Sequence, residues 1–157
     1  MTLTLLLACA TPDEDLQGAR DALATDLWAQ IDGYESWTQQ DPWTGVQPSS
    51  DNTHGEYVQI WLNDAAVGSY AEDAAADDSI VVKRGYRDEA AADAYGNITV
   101  MWKTDDPSVA ETGWLWVSYG AADGAATKAE DNAGCAGCHA SGSDYRRMVT
   151  DVPTPGR

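Results

Sequence analysis

Glu56-Tyr57-Val58-Gln59-Ile60-Trp61-Leu62-Asn63 is a run rich in β-branched, aromatic and aliphatic residues that starts after Gly55 and stops before Asp64. Such side chains suit a pleated, half-buried surface, and the turn-forming residues on either side cut the run to strand length. Ser79 to Tyr86, Asn97 to Lys103 and Gly113 to Tyr119 have the same character. These segments, bounded by Gly, Asn and Asp, predict a mainly antiparallel sheet.

Upstream, Thr11-Pro12-Asp13-Glu14 has the marks of a helix start: a capping hydroxyl, a proline at the first helical position and a glutamate placed to close a capping box. Leu16, Leu23, Leu27 and Ile31 follow at helical intervals, so a helix is expected from about residue 12 to 31, ended by Asp32-Gly33. Residues 36–55 are rich in Gln, Pro, Ser, Asp and Asn, and read as a loop folded back onto the domain through the indoles of Trp37 and Trp43. The Ala-rich stretch Asp64 to Ala76 is expected to form a short helix, and Ala125 to Gly134 another that leads into a C-terminal cysteine motif. The fold class is therefore α+β, a mainly antiparallel sheet with an N-terminal helix and a C-terminal helical segment.

A chain of 157 residues has the size of one domain. Residues 1–9 read as a leader and 10–157 as a single domain. Only 9 Lys and Arg face 26 Asp and Glu, a net charge of −17. That charge repels phosphate backbones and anionic membrane surfaces, which excludes nucleic acid as a partner, and it would attract a basic protein such as a small redox cytochrome. Solubility is the simpler reading.

The first ten residues, Met1 to Ala10, are apolar, too short to span a bilayer and long enough for the core of a secretory signal, although no basic leader precedes them. Leu6-Leu7-Ala8-Cys9 resembles a bacterial lipobox, in which Cys9 would be lipidated, while Ala8-Cys9-Ala10 equally fits ordinary cleavage. Both lead to the periplasm or the outer cell envelope of a bacterium, with a lipid anchor as the only membrane attachment.

Two cysteines then remain for the domain, in Cys135-Ala136-Gly137-Cys138-His139. A Cys-x-x-Cys can be a disulfide, half a zinc site, a redox dithiol or a haem attachment. Followed directly by histidine, the two thiols can each add to a haem vinyl group while the imidazole sits under the iron. A zinc site would need a second ligand pair, and only His54 and carboxylates remain to supply it. A thioredoxin-type dithiol belongs at an early strand-to-helix turn, whereas this motif follows all the expected strands. One covalent haem c is the expected cofactor, with Cys135 and Cys138 as thioether positions and His139 as proximal iron ligand.

The sixth iron position separates an electron carrier from a binder of small molecules such as nitric oxide. Met148 lies nine residues beyond His139, close for reaching the opposite haem face, and Met101 reads as packing within a strand. His54, in Thr53-His54-Gly55-Glu56, reads either as a turn histidine or as a ligand. A five-coordinate iron is the expectation.

From His54 onward the chain resembles the cytochrome P-460 family, which includes the cytochromes c-prime-beta. The matching stretches are His54 to Asn63, Ile80-Val81-Val82-Lys83, Thr99 to Lys103, Gly113-Trp114-Leu115-Trp116, and Cys135 to His139 followed by Asp144. They occur in the family's order over about residues 50–151. The resemblance implies a sheet-rich homodimer. It also implies that Lys83 matches the lysine which, in some members, bonds to the haem edge and accompanies hydroxylamine oxidation; relatives without that bond take up gases. A strand lysine with its amine in solvent is the plainer reading of Lys83. Oxidative members carry a distal carboxylate on the third strand, where this chain has Thr99, and the first strand presents Val58 to the same distal region. The chain thus departs from the catalytic pattern, since an apolar pocket offers no general base. It also has no Phe to form the cap of gas-binding relatives. The expectation is a haem protein that binds nitric oxide or a related nitrogen compound, with hydroxylamine oxidation left open and a six-coordinate electron carrier as the alternative.

Overall fold

The four segments expected to be strands are consecutive strands of one antiparallel sheet in the computed structural model, which describes residues 12–49, 52–106, 112–120, 124–130 and 133–150. They are β2 (Tyr57–Leu62), β3 (Ile80–Tyr86), β4 (Ala94–Lys103) and β5 (Trp114–Tyr119). Two more strands flank them: β1 (Gln47–Pro48), inside the segment read as loop, and β6 (Ala126–Glu130). The order across the sheet is β1-β2-β3-β4-β5-β6, so each strand pairs with its neighbours in sequence.

Register assigns every side chain to one of two faces, because successive residues of a strand point to opposite sides. Leu62, Val81, Met101 and Trp116 form one row across the sheet, and Ile60, Lys83, Thr99 and Ser118 form the next row on the same face. The opposite face carries the row Trp61, Val82, Val100 and Val117.

Helix α1 (Pro12–Gln30) covers that second face. Its residues Ala24 and Leu27, with Ile31 just beyond it, are buried against Trp61, Val82, Val100, Leu115 and Val117. Each large apolar side chain buried in this way contributes on the order of 1.5–3 kcal/mol. Tyr119 closes the layer by donating its hydroxyl to the Ala24 carbonyl at 2.6 Å. Gly33, at φ 71°, then turns the chain into a short 3-10 turn at Tyr34–Ser36. Thr11, the expected cap, lies outside the described residues. As expected, Trp43 folds back: it is buried and donates Nε1 to the Met148 carbonyl at 2.8 Å.

Two helical expectations are corrected. The helix expected over residues 64–76 is only α2 (Asp64–Gly68). The Asn63 side chain caps it by accepting from Ala66 N at 3.0 Å, and the chain then turns around Ser69. The Ser69 hydroxyl donates back to the Ala65 carbonyl at 2.9 Å and accepts from Ala76 N at 3.0 Å, which favours a turn over further helix. The helix expected over residues 125–134 is instead β6, followed by α3 (Ala133–His139). Here tertiary context overrides propensity: β6 covers the edge of β5, Thr127 Oγ1 donates to the Ser118 carbonyl at 2.9 Å, and Ala129 is buried beneath α1. The chain ends, within the described residues, in α4 (Arg147–Thr150). The architecture is α+β and mainly sheet, with the cysteine motif on a C-terminal helix.

Candidate functional site

The face away from α1 is capped by the C-terminal segment. Ala136 and Met148 are buried there with Val58, Ile60, Leu62, Met101, Trp114 and Trp116. Ala136 thus anchors α3 to the sheet from inside the motif. Cys135 is half-buried and Cys138 exposed, and neither is in a disulfide.

Between α3 and strands β3 to β5 lies a cleft of about 890 Å³, mouth included, around an inner cavity of about 220 Å³. Cys135, Cys138 and His139 line it together with Val81, Met101, Trp116 and Met148. Lys83, Thr99 and Ser118, consecutive members of one sheet row, contribute polar wall, as do Thr53 and His54. Thr99 Oγ1 also makes a long, 3.4 Å hydrogen bond to the Lys83 carbonyl. Among the described lining residues there is no carboxylate.

His139 is 8% exposed and its ring lies 4.8 Å from that of Trp116. Its Nδ1 is 2.9 Å from the Tyr145 carbonyl oxygen. A carbonyl can only accept, so Nδ1 carries the proton and Nε2 the lone pair, the arrangement typical of a metal-binding imidazole. The His54 ring centre is 6.4 Å from that of His139, with the ring planes 81° apart.

The structure therefore gathers Cys135, Cys138, His139, Lys83, Thr99 and His54 about one cleft. Val58 stands apart: it is buried in the same face but is not among the lining residues, because it pairs with Gly85, over which the His54 backbone passes. Met101 and Met148 are buried and touch the cleft, so packing and lining are one role for both. Cys9 lies outside the described residues. Ser118 and Trp116 were not singled out from the sequence. Alternation along Trp114, Trp116 and Ser118, once β5 is set against β4, would have placed them beside Thr99 and Met101.

These residues fit a haem. The cleft wall is largely apolar, two thiols stand one helical turn apart at its edge, and the adjacent imidazole has its lone pair on Nε2. Trp116, in the same wall, has a buried Nε1 without a hydrogen-bond partner among the described residues. Zinc fits poorly: among the described residues no three His, Cys, Asp or Glu side chains converge to hold a metal.

Fold and site together define a haem-binding cytochrome built on a sheet. The family model for cytochrome P460 matches residues 31–149, and the chain belongs to that family. No curated protein matches the chain.

Proposed function

We propose that this chain is an exported mono-haem c-type cytochrome that binds nitric oxide or a related small nitrogen compound at an open iron position. Cys135 and Cys138 would hold the haem by thioether bonds, and His139 would be its proximal ligand. The observation that carries this reading is the bond from His139 Nδ1 to the Tyr145 carbonyl, which leaves the Nε2 lone pair for iron beside two thiols. Bound haem supplies an iron that takes up a small ligand and exchanges an electron.

On the remaining wall, the Lys83 amine and the Thr99 and Ser118 hydroxyls can hydrogen-bond a polar diatomic or hydroxylamine. With no carboxylate among the described lining residues, the wall lacks a ready base to take protons from hydroxylamine. That favours binding over oxidation, while Lys83 keeps the oxidative branch open. The net charge of −17 supports a basic redox partner, and the leader-like residues 1–10 support export, with lipidation at Cys9. A homodimer is the assembly proposed.

The test is purified holoprotein titrated with nitric oxide and followed by optical and electron paramagnetic resonance spectra. A high-spin iron that shifts on nitric oxide addition is expected. A low-spin, six-coordinate spectrum indifferent to nitric oxide would reject the open site.

The separation of the His54 and His139 rings favours a second reading. The two ring centres lie 6.4 Å apart at the same cleft, so His54 would be near enough to hold the group from the side away from His139. In this reading His54 fills the sixth position and the protein carries electrons. Conversion of low-spin to high-spin iron by His54→Ala would establish it.

A further inference from the structure

We infer that the partly buried ion pair between Lys103 and Asp144 positions His139, acting through the Gly142 to Arg146 turn to set how strongly that imidazole donates to iron. This rests on the haem reading above. Lys103 and Asp144 are positioning residues, since neither lines the cleft.

Lys103 ends β4, and Asp144 lies five residues beyond His139. Lys103 Nζ is 3.2 Å from Asp144 Oδ1, and the two side chains are only 16% and 15% exposed. A pair so shielded escapes most of the screening that makes surface pairs weak. The other carboxylate oxygen accepts from Ala75 N at 2.9 Å, and the Asp144 carbonyl accepts from Trp114 Nε1 at 3.0 Å. Lys103 Nζ also lies 5.3 Å from the Trp114 ring centre. Gly113 leaves room for the amine, because a Cβ there would lie 2.9 Å from Nζ.

All this holds a strained turn. Asp144 and Tyr145 both adopt left-handed backbone, at φ 44° and 61°. Such residues are strained and persist only where the surroundings over-determine them. Arg146, 2% exposed, donates to the Ser69 and Glu72 carbonyls at 2.8 Å each, and Ser143 Oγ donates to the Asp73 carbonyl at 2.8 Å. The product of the strain is the Tyr145 carbonyl turned back onto His139 Nδ1. A partner at that nitrogen fixes ring orientation and raises the basicity of the ligating one. Loosening Asp144, the preceding residue, weakens that bond and with it the preference for oxidised iron.

The experiment compares holoprotein of full-length wild type, Lys103→Met, Asp144→Asn and Lys103→Arg. Midpoint potential and the ferrous iron–histidine stretch in resonance Raman are read beside thermal unfolding. Lys103→Met and Asp144→Asn are expected to shift the oxidised-to-reduced equilibrium toward reduced iron by about tenfold, equivalent to 59 mV for a one-electron couple. They should also lower the stretching frequency, and Lys103→Arg should restore both readouts. A folded, haem-loaded Lys103→Met with wild-type potential and stretch would overturn the inference and leave the pair a purely structural role. Should that variant fail to fold, Asp144→Asn, which keeps an acceptor for Ala75 N, decides by the same criteria. A His139→Ala holoprotein with the wild-type optical spectrum and midpoint potential would instead reject His139 as the ligand, a distinguishable failure.

Discussion

Gly85 leaves the space through which the His54 carbonyl crosses β3: a Cβ built on Gly85 would lie 1.4 Å from that oxygen. Gly85 has no positive φ, so space alone requires glycine here. Gly85→Ala is therefore expected to lift the His54 segment off the sheet and cost about 1–3 kcal/mol. Thermal unfolding reads the stability, and the optical spectrum of the holoprotein reads the change at the cleft. A variant unchanged in both would refute this role.

Trp43 ties residues before the sheet to the last described helix through its bond to the Met148 carbonyl. Trp43→Phe keeps most of the apolar contact and loses the donor. A loss of about 0.5–1.5 kcal/mol is expected, read from the denaturant midpoint.

Burial pushes the Tyr119 phenol well above its ordinary value of 10.0, and burial also raises Tyr34, Tyr70 and Tyr86. A group whose folded pKa is raised stabilises fully below its unfolded pKa and loses that stability as pH rises toward the folded value. Stability should thus be insensitive to Tyr119 below about pH 10 and fall by about 1.4 kcal/mol per pH unit per phenol above it. Unfolding monitored from pH 8 to 11.5 should show a shallower alkaline decline in Tyr119→Phe, on top of a lower baseline from the lost Ala24 hydrogen bond. Parallel declines in the two proteins would count against it.

Lys83 lines the cleft from the same sheet row as Thr99 and Ser118. If its amine bonds to the haem edge, denatured wild-type holoprotein should keep an optical spectrum that Lys83→Arg does not reproduce. Identical spectra, both of ordinary haem c, would remove the cross-link.

Much of this was legible because strand character and the five-residue cysteine motif are local signals. Val81, Lys83, Thr99 and Met101 alternate with core residues, so the faces of β3 and β4 follow once the strands are found. What escaped depended on partners distant in sequence. The segment Ala126–Glu130 is alanine-containing and helix-compatible by itself; only the open edge of β5 and the cover of α1 make it a strand. Val58 read as distal because the strand faces the right way, but the passage of His54 over Gly85 removes it from the cleft. The Tyr145 carbonyl that orients His139 has no side-chain signature, since any residue supplies a carbonyl.

Pairing each strand only with its sequence neighbours favours assembly in chain order. The sheet wall of the cleft, β3 to β5, closes through short loops and is complete in chain order before the cysteines are reached, which keeps the loop-closure cost small. The C-terminal segment is expected to dock on this wall last, held by such contacts as Trp43 to Met148 and Arg146 to Ser69. Hydrogen exchange should accordingly show α3 and the turn after it opening while β3 to β5 stay protected. The attachment motif would thus be accessible on a chain that has already built the opposite wall of its own binding site.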